Sequence, residues 1–109
     1  MRWIAVLAAL SGALAIAAGA FGAHGAAKDV AELLKTGGEY QIIHAVAALV
    51  ALRMDARGPA AMFVIGGALF SVSLYAMALG APRPVGAITP IGGVAMIVGW
   101  LWLAWQARR

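Results

Sequence analysis

At 109 residues, 64% of them hydrophobic and 11% charged, this chain carries a net charge of +4 and no cysteine. A water-soluble domain holds about 45–50% apolar and about 25% charged residues, so a soluble fold could not hide this much apolar surface. The missing cysteines exclude disulfide frameworks, thiolate chemistry and cysteine-based zinc, iron–sulfur or c-type haem sites, and the basic residues, scattered singly or in pairs, offer no face to nucleic acid.

The first apolar run starts at Trp3 and meets no charge before Lys28, which predicts a membrane span over 3–23. Arg2, this run and Ala18-Gly19-Ala20 together resemble a secretory signal with a small-residue cleavage site, but the segment is expected to stay as a span. Next, Asp29-Val30-Ala31-Glu32 has the form of a capping box, and Val30, Leu33 and Leu34 share one side of a short helix. The expectation is a small amphipathic helix resting on the outer surface and closed by Gly37 or Gly38. Thr36-Gly37-Gly38-Glu39 then reads as a second capping box that starts a span over 37–54, about 27 Å long, with Arg53 snorkelling at its far end. Spans over 60–80 and 88–106 follow, joined by short loops around Asp55–Pro59 and Ala81–Pro84 that make consecutive spans antiparallel neighbours. Thr89 is expected to cap the last span, with Pro90 at its first position. The fold class is thus an all-α membrane protein, one domain over 1–109, built as an antiparallel bundle of four spans.

Four spans place both termini on one side. Arg2, Arg53, Arg57, Arg108 and Arg109 lie there against Lys28, Lys35 and Arg83 opposite, which puts the termini in the cytoplasm. Trp3, Trp100, Trp102 and Trp105 would form an aromatic belt on that side. Small residues allow helices to approach closely in lipid, and three stripes suit that role. They are Ala8, Gly12, Ala15, Gly19 and Gly22 in the first span, Gly67, Ser71 and Tyr75 in the third, and Gly92, Met96 and Gly99 in the fourth.

Four segments carry a family resemblance: "GAFGAHG" at Gly19–Gly25, "EYQIIHAVAAL" at Glu39–Leu49, "GGALFSVSLYAMAL" at Gly66–Leu79 and "ITPIGGVAMIVGW" at Ile88–Trp100. In this order they resemble the signature of the domain-of-unknown-function-423 family, small bacterial inner-membrane proteins related to the eukaryotic transmembrane protein 256. The resemblance implies four transmembrane helices, a multi-pass place in the bacterial inner membrane and a role not yet assigned, with no catalytic residues to carry over. The positions that match include Gly22, His24, Tyr40, Gln41, His44, Ser71, Tyr75, Thr89, Gly92 and Gly99.

These polar residues are the candidates for a ligand site or a structural clasp. His44 should lie about 7 Å below the outer boundary, level with Tyr75, while Tyr40 and Gln41 precede it on the same side of its helix. A bond between His44 and Tyr75 is the expectation, with Thr89 as the alternative partner, because neither imidazole nor phenol is stable unpaired at that depth. An ionisable group inside a span can also be functional, so both readings of His44 stay open. His24 should sit about 10 Å further out by helix rise, fixing the Gly22–Gly25 turn, which disfavours a shared metal or haem. No cofactor is expected.

No carboxylate pair, Ser/His/Asp set or phosphate-cradling loop suggests an enzyme. Small multidrug transporters and fluoride channels have four spans and work as dimers, but the multidrug group relies on a carboxylate in its first span, and none lies between Trp3 and Ala23 here. The expected role is structural or accessory in a membrane complex. An oligomeric transporter or channel acting around His44 and Tyr75 is the alternative. The expected partners are the lipid bilayer and either further copies of the chain or a larger membrane complex.

Overall fold

The computed structural model describes residues 2–108; Met1 and Arg109 lie outside it, as does the side chain of Arg2. The described chain is helical: α1 (Arg2–His24), α2 (Lys28–Arg53), α3 (Arg57–Ala78), a five-residue 3-10 helix (Arg83–Ala87) and α4 (Ile88–Ala107). Alanine and leucine favour these helices. The prolines fall only in turns or in first turns, Pro59 in α3 and Pro90 in α4, where the missing N–H has no partner to lose.

Two of the connections are alike. After α2, Asp55 takes a φ of 59°, Ala56 N–H bonds Ala51 O at 2.8 Å and Asp55 N–H bonds Leu52 O at 3.1 Å. After α3, Gly80 takes a φ of 102°, with the equivalent bonds from Ala81 to Ala76 and from Gly80 to Met77. Both are left-handed caps that use the last carbonyls and reverse the chain in few residues.

The start of α2 differs from the expectation. There is no separate surface helix and no new helix at Gly37: one helix of 26 residues runs from Lys28 to Arg53, capped by Ala27 without any side-chain bond. Neither capping box forms. Gly37 and Gly38 instead lie buried in the helix interior, between two neighbours. A Cβ on Gly37 would come within 2.6 Å of Tyr75 Cε1, and one on Gly38 within 3.0 Å of Ala15 O. Glycine inside a helix costs roughly 0.5–1 kcal/mol relative to alanine, and here close packing on both sides offsets it.

Contacts between neighbouring helices run in opposite senses. Gly22 meets Leu34 and Gly12 faces Ile42 between α1 and α2; Gly37 meets Ser71 and Gly67 faces His44 between α2 and α3; Gly58 meets Trp102 and Gly92 meets Phe70 between α3 and α4. α2 and α3 form the middle, with α1 packed mainly on α2 and α4 on α3. The core is built of small residues, Ala8, Ala47, Ala48, Ala51, Ala56 and Ala60 around Phe63 and Val64.

Among the described residues, three helical stretches are long and apolar enough to cross a membrane: Trp3–His24, Arg57–Ala78 and Arg83–Ala107. Their outer faces stay uncovered, with Leu10 60%, Ile16 66%, Ile97 60% and Leu101 67% exposed. Apolar exposure this continuous suits lipid rather than water.

Candidate functional site

Polar side chains join α2, α3 and α4, from His44 in the interior of α2 to Tyr75 near the end of α3 and Thr89 at the start of α4. His44 is 6% exposed, and both its nitrogens are engaged. Its Nδ1 lies 2.7 Å from Tyr40 O, one turn earlier on α2, and its Nε2 accepts the indole N–H of Trp100 on α4 at 3.0 Å. A carbonyl only accepts and an indole only donates, so these partners specify the neutral tautomer with its proton on Nδ1. Aromatic rings enclose the imidazole: Phe63 and Trp100 stand edge-on at 5.7 and 5.8 Å, and Tyr40 lies parallel at 6.4 Å.

Tyr75 has a different partner. Its hydroxyl donates to Gln41 Oε1 at 2.7 Å, with both residues buried. The Ser71 hydroxyl donates to Gly37 O at 2.7 Å, a bond that needs the two backbones as close as a residue without Cβ allows. Between α3 and α4, Ser73 donates to Phe70 O at 2.8 Å and pairs with Thr89, which leaves Thr89 as donor in that pair. Among the described residues, no buried side-chain nitrogen or oxygen lacks a partner.

The expected bond between His44 and Tyr75 is therefore absent. Each makes a cross-helix bond, but His44 reaches α4 through Trp100, and Tyr75 meets Gln41, three residues before His44. The physical reason is helix rotation: three residues turn the chain about 300°, so Gln41 and His44 point about 60° apart and address different neighbours. Thr89 does not cap α4, whose cap residue is Ala87 with no side-chain bond; it faces Ser73. Tyr40, 45% exposed, packs its ring 4.8 Å from Phe70. His24 ends α1 in an exposed position, and the turn after it is closed by backbone, Gly25 N–H to Phe21 O at 2.9 Å. Trp100 leaves the expected aromatic belt, since it stands well inside α4 on His44; Trp102 packs on Gly58 at the start of α3, and Arg108 lies over Trp105 at 5.0 Å.

The glycines of the expected seams divide. A Cβ added at Gly92 would collide with Phe70 N and stand 2.7 Å from Gly66 O; one at Gly99 would stand 2.8 Å from Phe63 Cε1, and one at Gly22 3.2 Å from Leu34 Cβ. A Cβ on Gly67 would stand 3.4 Å from His44 Cβ and one on Gly12 3.5 Å from Ile42 Cδ1, ordinary contacts. A Cβ on Gly19 would touch nothing within 4 Å, although Gly38 lies against the Gly19 backbone. Sequence reasoning missed Trp100, Gly37, Gly38 and Gly66. The signal for Trp100 was present: an indole N–H within an apolar helix, away from water, needs an acceptor, and His44 Nε2 is one.

The chain matches the family model described as "Protein of unknown function (DUF423)" over residues 18–93. It is also 43% identical to a UPF0382 membrane protein of Haemophilus influenzae, over 94% of this chain and 91% of that one. The chain belongs to the DUF423 family. Other relatives of this DUF423 protein are the UPF0382 inner membrane protein YgdD of Escherichia coli, 37% identical over 91% of this chain and 84% of that one, and a UPF0382 membrane protein of Staphylococcus epidermidis, 35% identical over 93% and 91%. No solved structure matches. The polar network draws on residues both inside and beyond the matched DUF423 region, since Trp100 lies after residue 93.

Proposed function

We propose that this protein is a four-span integral membrane protein of the bacterial inner membrane, with α2 crossing the bilayer beside the three more apolar helices, and that its role is structural or accessory within a membrane assembly. The observation that carries this reading is the closed state of the polar network: His44 uses both ring nitrogens, and Tyr75, Gln41, Ser71, Ser73 and Thr89 bond one another or the backbone. Groups spent on one another hold helices together. A non-catalytic role fits the same fact. Transport around His44 and Tyr75 finds less support, because the two belong to separate pairs.

Gentle detergent extraction from native membranes tests the role. Stoichiometric recovery with another membrane protein is the expected result; solute flux through vesicles that hold this protein alone would favour a transporter. The proposed topology, with both termini cytoplasmic, rests on the five-to-three distribution of basic residues. Cysteines introduced at Lys28 and Arg109 should react with an impermeant reagent in intact cells only at Lys28. Labelling at Arg109 alone would invert the topology, and labelling at both would indicate dual insertion.

A further inference from the structure

α2 carries a second pattern, on the side away from α3 and beside α1, where Lys28, Glu32, Lys35 and Glu39 border the clefts along Gly19 of α1. Lys28, Glu32, Lys35, Glu39, Ile43, Val46 and Val50 follow one another at steps of four, three, four, four, three and four residues, which keeps them in one stripe along the helix. The four charged residues are exposed, and Ile43, Val46 and Val50 are 54%, 53% and 50% exposed. The residues of α2 that meet neighbours, Gly38 against α1 and Gly37 and His44 against α3 and α4, belong to other sides of the helix.

The depth of this stripe makes it informative. Gly38 abuts Ala15 O and the Gly19 backbone, near the middle of the apolar stretch Trp3–His24. Glu39 is the next residue, so helix rise puts it on the order of 5 Å from the midplane of a hydrocarbon layer about 30 Å thick. Lys35 lies about 6 Å further out, still within that layer. A carboxylate facing lipid there has no solvation. Pairing along the helix with Lys35 would still leave the pair facing lipid, whereas a protein surface of opposite charge at the same level would cover it.

We propose that this face of α2 is the contact surface for a second copy of the chain, the two α2 helices lying side by side in the same orientation. The alternating order Lys, Glu, Lys, Glu makes the surface complementary to itself. Four residues turn the helix about 400°, so Glu39 stands about 40° round from Lys35. A two-fold axis parallel to the helices carries Lys35 of one protomer to the side where Glu39 of the other lies, and the reverse, so each pair forms twice. Like charges at equal depth are displaced to opposite sides of the axis. An inverted second copy would match the same charges only with Lys28 opposite Glu39 and Glu32 opposite Lys35. That centres the contact between Glu32 and Lys35, far from the midplane, and pushes the two apolar layers out of one bilayer. Ile43, Val46 and Val50 continue the parallel contact as an apolar seam. The proposal rests on α2 crossing the membrane.

Because the chain lacks cysteine, single replacements read the contact directly. In native membranes under mild oxidation, Ile43→Cys, Val46→Cys and Val50→Cys should each give a disulfide-linked dimer, while Leu14→Cys on α1 and Val94→Cys on α4 should give at least fivefold less. In the Val46→Cys background, Glu39→Lys or Lys35→Glu alone should lower the dimer yield at least fivefold, and the two together should restore it to within twofold. Equal yields at all five positions, no rescue by the exchange, or cross-links to other proteins only would overturn the proposal. A water-soluble maleimide should react slowly at Glu39→Cys. Fast reaction would put the stripe in water and overturn both the crossing of α2 and the pairing; slow reaction without a seam disulfide would overturn the pairing alone.

Discussion

Replacing Gly92 by alanine should lower stability in detergent by about 3 kcal/mol, the upper end of what overpacking costs. The new methyl group would collide with Phe70 N and Gly66 O, which are backbone atoms and cannot rotate away as a side chain would. The backbones of α3 and α4 would have to part, and the Ser73–Thr89 bond and the contacts of Gly99 with Phe63 lie along the same seam. Gly19→Ala is the matched control. Its methyl group would meet open space, so stability should stay unchanged or rise by up to about 1 kcal/mol through helix propensity. Thermal unfolding of the two variants against the parent checks this, and equal losses would show that glycine content rather than close approach matters.

His44→Ala should cost about 2 kcal/mol, because it leaves the Trp100 N–H without its acceptor and opens a gap among Phe63, Tyr40 and Trp100. The informative quantity is the coupling. His44→Ala and Trp100→Phe break one bond between them, so the double variant should lose less than the sum by about 0.6 kcal/mol, with about 1.7 as a ceiling for bonds of this kind. Tyr75→Phe should couple in the same way to Gln41→Leu. His44→Ala and Tyr75→Phe share no hydrogen bond, so their losses should add. Additive losses for His44 and Trp100 together with strong coupling of His44 to Tyr75 would contradict the arrangement.

The three apolar helices were legible as charge-free runs, since chain length and hydropathy alone decide whether a helix can cross lipid. α2 was harder for a physical reason. Gly37 and Gly38 have the composition of a helix break, and only the neighbours that press on them, Ala15 and Tyr75, make glycine favourable inside a helix. The level of Tyr75 was readable to within one turn of α2, but its partner was not. Helix rotation follows from an apolar stripe, and in helices apolar all round the face toward a neighbour is marked only by small residues. That is why Gly92, Met96 and Gly99 read as one side of α4, where they are its buried residues, while Trp100 beside them reads from the sequence as part of an interfacial belt. The distribution of basic residues speaks to orientation and says nothing of which polar pairs form.

In the proposed arrangement α2 crosses the bilayer as one unbroken helix that brings Gln41 and His44 into the polar network. A scan of single cysteines from Lys28 to Arg53, labelled with a water-soluble maleimide in membranes, tests it most directly. Reactive positions are expected near Lys28 and Arg53, with one continuous protected block between them that includes Thr36, Gly37, Gly38 and Glu39. A reactive peak at Thr36–Gly38, with protection resuming only after Glu39, would contradict it and restore a separate surface helix before a shorter span.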